Sequence, residues 1–219
     1  MRFKIGGLPE QQSRRRLASI GEGRYRKVTF HEDIVEKRHK GFRTKNYGFF
    51  HVDYPLGWYI RWKYGSTDLN RMEKDNYNRC FSHSPRRLSD CFAKVLKLEG
   101  SGLNSVLHME RVRNADGTPA TPLSMNQGKL NPHFWSKFDE LINYFKSNKT
   151  PLMDLHPDNI MVKNIGEGKS IPVIIDYKLM DGRMFPFQPD TWFNRGAINK
   201  MLRKAEKIRR EFKESASAQ

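Results

Sequence analysis

The sequence predicts an α+β chain in two lobes, the first β-rich and the second smaller, with a reduced set of helices. Three observations carry this. Short β-favouring runs separated by turn residues recur through the stretch before residue 113. A strong turn signal, Asn114-Ala115-Asp116-Gly117-Thr118-Pro119, then interrupts the chain. Beyond it an amphipathic helix leads into Asp154-Leu155-His156-Pro157-Asp158-Asn159 and a hairpin that returns a second acid, Asp176. The expected division is 1–113 and 114–219.

At 219 residues the chain suffices for one compact domain or two small lobes, and its aromatic content allows a packed core. The formal charge of +16 implies an anionic partner: nucleic acid, an anionic membrane surface or a phosphorylated substrate. A basic surface that is merely solvated is the plainer alternative. Cys80 and Cys91 lack metal-ligand spacing and read as reduced thiols rather than a disulfide framework. No apolar run approaches a membrane span, and Met1-Arg2-Phe3-Lys4 is not followed by a signal-peptide core. The expected location is the cytoplasm, with peripheral contact at the inner membrane left open.

Taken in order, the residues through Arg14-Arg15-Arg16 read as a loose basic arm or an edge strand. In Ile20-Gly21-Glu22-Gly23-Arg24-Tyr25-Arg26-Lys27-Val28, two glycines one residue apart run into a β-favouring segment. Such a turn lets backbone approach phosphates closely, although an ordinary hairpin turn has the same look. Arg24, Arg26 and Lys27 would add positive charge for a triphosphate. His31-Glu32-Asp33 turns the chain and Ile34 to Arg38 completes a β-hairpin. The period of two sets Val35 and Lys37 on one face, an apolar residue for an adenine ring and an ammonium for the phosphates. Trp58 to Tyr64 reads as a further strand carrying Arg61 and Lys63 on one face, and either would serve as the phosphate-binding cation in place of Lys37.

Ser66-Thr67-Asp68 starts a helix that runs through Phe81. Glu73, mid-helix, either pairs with the strand lysine or makes a local surface contact. Ser84-Pro85 stops that helix. Phe92 to Leu98 and Ser105 to Val112 form two more strands, and Met109 to Val112, with Glu110, is the connection against which a base would lie. Asn131-Pro132 combines an N-cap with proline at the first helical position. Phe134, Trp135, Phe138, Leu141, Ile142 and Phe145 follow at helical spacing as a core stripe.

Leu152-Met153 are apolar anchors ahead of Asp154, and Pro157 stiffens the loop from Asp154 to Asn159. Ile160 to Val162, a turn through Gly166-Glu167-Gly168, and Ile171 to Ile175 make a hairpin that brings Asp176 back towards Asn159. One carboxylate can position a hydroxyl nucleophile while an amide and a second carboxylate hold magnesium against a nucleotide's phosphates, so the layout suits phosphoryl transfer. Singly, Asp154 and Asn159 would be read as caps of a turn; the whole array points to chemistry.

Asp154-Leu155-His156-Pro157-Asp158-Asn159-Ile160 resembles the catalytic loop of the protein-kinase-like fold. It has the His-Pro form common in small-molecule kinases and atypical bacterial kinases, with histidine in place of the eukaryotic lysine. Ile175-Asp176-Tyr177-Lys178 is similar to the metal-binding Asp-Phe-Gly segment, with Tyr and Lys replacing Phe and Gly. The chain looks most like the YrbL family, small bacterial kinase-like proteins linked to the PhoP regulatory network. That likeness covers the Gly21-to-Val28 turn, the Asn114-to-Gly117 turn, the catalytic loop and the Trp-containing basic C-terminus.

The resemblance implies a bilobal kinase-like fold with a β-rich nucleotide-binding lobe, and ATP and Mg2+ as cofactors. Asp154 would accept the hydroxyl proton, and Asn159 and Asp176 would bind magnesium. Gly21 and Gly23 would cover the phosphates and Lys37 would grip them with Glu73 in support. Val35, Glu110, Val112 and His156 complete the implied nucleotide contacts. The spacing between Lys37 and Glu73 departs from an ordinary kinase, and the residues after Asp176 do not fit the usual activation-segment switch. The chain after Asp176 is short for the helical lobe that binds protein substrates.

Asp190 or Thr191 then caps a helix with Trp192, Phe193, Ala197, Met201, Leu202, Ala205, Ile208 and Phe212 on or near one side. Arg195, Lys200, Arg203, Lys204, Lys207, Arg209, Arg210 and Lys213 occupy the other. Such a helix can lie on an anionic membrane or meet an acidic partner, but more often its apolar side packs on the body. Three functions follow from these readings. The first is a phosphotransferase acting on a hydroxyl acceptor, which the charge and His156 make non-protein and anionic, such as a lipopolysaccharide-core sugar. The second is a pseudokinase or nucleotide-binding regulatory module without turnover. Nucleic-acid binding, the third, explains the charge but not the acid-amide-acid array.

Overall fold

The structure, a computed structural model, describes residues 19–22, 26–39, 68–126, 130–150, 152, 154–178 and 190–214. Its first sheet holds β1 (Ser19–Glu22), β2 (Arg26–Phe30), β3 (Ile34–His39), β4 (Val95–Glu99) and β5 (Val106–Glu110). Their order is β1-β2-β3-β5-β4, with every pair antiparallel. The β2–β3 hairpin closes where the His31 N–H donates to the Ile34 carbonyl at 2.8 Å. Val28 lies opposite Lys37 and Phe30 opposite Val35, so the strand period groups Arg26, Val28 and Phe30 with Val35 and Lys37 on one face. Gly21 pairs with Val28 inside β1. Gly23, Arg24, Arg61, Lys63 and the whole Trp58-to-Tyr64 run lie outside the described residues.

Helix α1 (Leu69–Cys80) packs against β3, β4 and β5. Asp68 caps it, accepting the Arg71 N–H at 3.0 Å and the Ser105 hydroxyl at 2.6 Å. Leu69, Asn70, Glu73 and Asn76 are buried. Positions three apart share a helix face, so the inward stripe of α1 is mostly polar. Burying such groups is tolerable only where each finds a partner, and those partners build the site described below.

A 3-10 turn over Arg86–Cys91 buries Leu88 and Cys91, and burial pushes the Cys91 thiol up to about 12. Regular pairing of the next strand begins at Val95, later than the sequence suggests, because Phe92 bridges in parallel to Ile174. The Ala93 N–H likewise donates to the Ile174 carbonyl at 3.1 Å. The chain ahead of β4 is thus sewn to the second sheet, β6 (Thr121–Pro122), β7 (Ile160–Gly166) and β8 (Lys169–Ile174), in the order β6-β7-β8. The β7–β8 turn has positive φ at Gly166, Glu167 and Gly168 (93°, 52° and 67°), and glycine takes such backbone without a side-chain clash.

Helix α2 (Pro132–Ser147) starts where the Asn131 side chain accepts the Phe134 N–H at 2.9 Å. Its expected stripe, Phe134, Trp135, Phe138, Leu141, Ile142 and Phe145, is buried and packs on β8. Helix α3 (Asp190–Arg209) buries Met201, Ala205 and Ile208 in the same apolar cluster, and Arg209 pairs with Asp139 of α2. Arg195, Lys200, Arg203, Lys207 and Arg210 remain exposed. The described apolar side of α3 therefore packs on the body, and what the helix turns outward is charge. Among the described residues no helix is long and apolar enough to cross a membrane.

Candidate active site

The loop after Asp154 is held by its own short-range bonds. Pro157–Asn159 forms one 3-10 turn. The Asn159 N–H donates to the His156 carbonyl and its Nδ2 to the Asp154 carbonyl, both at 2.9 Å. Spending Nδ2 in this way directs the amide oxygen to the opposite side. The β7–β8 register pairs Ile160 with Ile174, and the Ile175 N–H donates to the Asn159 carbonyl at 3.2 Å. Antiparallel pairing thereby sets Asp176 beside the loop, as the hairpin reading expected. Asp154 remains about half exposed at 47%, whereas the Asp176 side chain is buried.

Lys178 closes the gap between the two acids. Its Nζ is 2.5 Å from Asp176 Oδ2 and 3.5 Å from Asp154 Oδ2, and its N–H donates to Asp176 Oδ1 at 3.2 Å. Arg26 reaches the same Asp176 Oδ2 at 3.5 Å. Burial alone would raise the Asp176 pKa, but the charges of Lys178, Lys37 and Arg26 outweigh it and hold the carboxyl well below the usual range. Burial likewise opposes the Lys178 ammonium, yet Asp176 keeps its pKa above the ordinary lysine value.

Glu73 is the centre of the buried part. Lys37 Nζ donates to Glu73 Oε1 at 2.6 Å and to the Ile175 carbonyl at 2.7 Å. Arg26 donates to Glu73 Oε2 and, at 3.1 Å, to Asn70 Oδ1. Desolvation pulls the Lys37 pKa down, and Glu73 beside it supports the charged form. Asn70 Nδ2 donates to the carbonyls of Lys37 and Ser105 at 3.0 and 2.9 Å, fixing the strand that carries the lysine. At the other end of the stripe, Asn76 Nδ2 donates to the Tyr177 carbonyl at 2.9 Å and Glu73 Oε1 accepts the Tyr177 N–H at 3.4 Å. The Tyr177 hydroxyl donates to Ala93 and Ile174 carbonyls at 2.5 and 3.0 Å, and its ring lies 5.1 Å from Tyr77 and 5.0 Å from Phe81.

The structure thus brings together Asp154, Asn159, Asp176, Lys37 and Glu73. Val35 is half-buried on the Lys37 face. Glu110 ends β5 with its N–H donating to the Lys94 carbonyl at 2.9 Å, and the Val112 carbonyl accepts the Ala120 N–H at 3.0 Å. His156 turns away: its side chain is 59% exposed, with Nδ1 3.1 Å from Asp158 Oδ2. Arg26, expected to add positive charge for a triphosphate, is buried in the ion cluster. Asn70, Asn76, Tyr177 and Lys178 have positions here that were not anticipated. The spacing Asn70-Glu73-Asn76 was the available signal, a polar stripe with helical period.

The chemistry of the donor set tests whether magnesium fits. Asn159 Oδ1 and the Asp176 carboxylate are hard oxygen donors, the kind magnesium takes together with substrate phosphates and waters. The Lys178 ammonium already marks a cation-accepting position between the acids. Among the described residues no group of three or more His, Cys, Asp or Glu side chains forms a metal cage. The residues fit a metal that arrives with a phosphate ligand.

Among the described residues, a five-stranded antiparallel sheet with one packed helix, joined to a loop, hairpin and acid, defines a protein-kinase-like fold of mixed α+β class. A solved structure agrees. The chain is similar to the Rio2 kinase of Chaetomium thermophilum, determined as an ADP/Mg2+-phosphoaspartate complex, with a TM-score of 0.55 at 12% identity. That match covers 91% of this chain and 60% of the Rio2 chain, so the sequence spans less than two thirds of its neighbour's length. WbdD matches with a TM-score of 0.47 at 14% identity, over 87% of this chain and 45% of its own. No family model and no curated protein matches the sequence.

Proposed function

We propose that the chain is an ATP- and Mg2+-dependent phosphotransferase with a nucleotide-binding lobe at 1–113 and a catalytic lobe at 114–219. The observation that carries this is the convergence of Asp154, Asn159 and Asp176 beside a buried Lys37–Glu73 pair. The acceptor's hydroxyl oxygen bonds to the γ-phosphorus while the bond to the β–γ bridging oxygen breaks. ADP leaves, and the hydroxyl proton passes to Asp154. Lys37, fixed by Glu73, would meet the phosphates beside Gly21, and Val35, Glu110 and Val112 would border the nucleotide. Asn159 and Asp176 would hold magnesium, which neutralises phosphate charge when bound.

The net charge of +16 and the His156 form of the loop support a non-protein, anionic acceptor such as a lipopolysaccharide-core sugar. The work would be done in the cytoplasm where ATP is found, with the exposed bases of α3 available to an anionic inner-membrane surface or an acidic partner. The His-Pro loop and the basic C-terminus support membership of the YrbL family. A second reading has its own observation: Asp176 is already engaged by Lys178 and Arg26, as suits a nucleotide-binding regulatory module without turnover.

Purified protein given ATP, Mg2+ and cell-envelope extract separates the two. ADP release that Asp154→Ala and Asp176→Ala abolish supports the enzyme. Nucleotide binding without ADP release supports the regulatory module, and absence of binding removes both.

A further inference from the structure

The second position after Asp154 is His156, whose imidazole is turned to Asp158 and solvent. The ammonium that reaches the space between the two acids comes from Lys178. It lies 2.5 Å from Asp176 and 3.5 Å from Asp154, with a side chain only 12% exposed. Asp176 has other cationic neighbours in Arg26 and Lys37, so neutralising it does not require a further buried lysine. Burying an ammonium costs desolvation, which Asp176 and Asp154 offset together.

We propose that Lys178 is a phosphate-contacting residue: when nucleotide binds, its ammonium exchanges Asp176 for an oxygen of the terminal phosphate. This rests on the phosphotransferase reading above. Among the described residues Glu73, Asp154 and Asp176 match Arg26, Lys37 and Lys178 in charge, so a triphosphate brings anionic charge that this cluster does not already neutralise. The lysine has three donors on a flexible stem and can change partners without moving its backbone. Its backbone is meanwhile held by the N–H bond to Asp176 Oδ1. Next to Asp154, the ammonium stands where charge develops on a phosphoryl group moving to a hydroxyl bound there, the place where a fixed cation is most effective. No bond to Lys178 forms or breaks; it supplies charge and hydrogen bonds.

The test compares ATP and ADP, each with Mg2+, by calorimetric titration of the full chain, with thermal unfolding to verify folding. Lys178→Met should bind ATP about tenfold or more weakly and ADP within about twofold of the unaltered chain. Lys178→Arg should restore most of the preference for ATP. Lys178→Gln, uncharged but polar, gives the same comparison should the methionine variant not fold. Equal weakening for ATP and ADP, or tighter ATP binding, overturns the proposal and leaves Lys178 a counter-ion of the acids. Binding of neither nucleotide by the unaltered chain overturns the phosphotransferase reading itself and this proposal with it.

Discussion

Glu73→Gln removes one charge from the centre of the cluster and little volume. Glu73 has no exposed surface; Oε1 accepts Lys37 at 2.6 Å and the Tyr177 N–H at 3.4 Å, and Oε2 accepts Arg26. A glutamine must turn its NH2 towards one of three donors, so at least one donor loses its acceptor and faces another donor. Breaking one partner of a buried ion pair costs about 3–5 kcal/mol. At about 2–4 °C per kcal/mol for a chain of this size, Tm should fall by roughly 6–20 °C, measured by circular dichroism or calorimetry. The cycle with Lys37→Met is the stricter check. In the Glu73→Gln background the lysine is already misplaced, so its removal should cost less than in the unaltered chain, with a coupling of about 0.5–3 kcal/mol. A loss below about 1 kcal/mol, the range of exposed pairs, would refute the buried cluster, as would strict additivity.

Three further outcomes are expected. Tyr177→Phe removes a hydroxyl bonded to the Ala93 and Ile174 carbonyls and should cost about 1–3 kcal/mol in urea unfolding; an unchanged midpoint would contradict the anchoring role. Burial raises the Asp68 pKa, but hydrogen bonds from Ser105, the Arg71 N–H and His39 outweigh it and lower the folded value below the unfolded one. Its contribution is therefore complete above about pH 4 and is lost as pH falls through the folded pKa, so the stability gap to Asp68→Asn should narrow on acidification; a widening gap would refute the sign. Cys91, buried with its thiol pushed up to about 12, should resist iodoacetamide at pH 8 in peptide mapping and react only on unfolding; rapid native labelling would contradict its burial.

What was legible in the sequence follows from where local pattern and tertiary environment agree. The β2–β3 hairpin, the cap and stripe of α2, and the β7–β8 hairpin each carry their own periodicity, and packing only completes it. The hairpin register is why the proximity of Asn159 and Asp176 could be read at all. Helix α1 differs. Asn70, Glu73 and Asn76 have the composition of a solvent face and become an interior one only because Arg26, Lys37 and Tyr177 arrive from distant segments to pair with them. The burial of Arg26 is illegible in the sequence for the same reason. Asn70 and Glu73, to which Arg26 donates, lie 44 and 47 residues away and Asp176 lies farther still, and no local rule reports them. Lys178 follows the last strand in a stretch with no period, so sequence reading registers it only as a departure from glycine.

The two departures after Asp176 act in opposite directions on one segment. Tyr177 is held at its hydroxyl, its N–H and its carbonyl, by Ala93 and Ile174, by Glu73 and by Asn76. Phenylalanine would fill the aromatic pocket but lacks the hydroxyl, so tyrosine ties the backbone of this segment to both α1 and the strand edge. Because Glu73 receives Lys37 as well as the Tyr177 N–H, the positions of the strand lysine and of Asp176 are set by one carboxylate. They cannot shift independently without leaving a buried group unpaired. Lys178 is the adaptable member beside this fixed backbone, a long side chain that, among the described residues, bonds to the two acids. With the tyrosine backbone held, an exchange of partners by the Lys178 ammonium, as proposed above, would change the charge between Asp154 and Asp176 while the acids themselves stay in place.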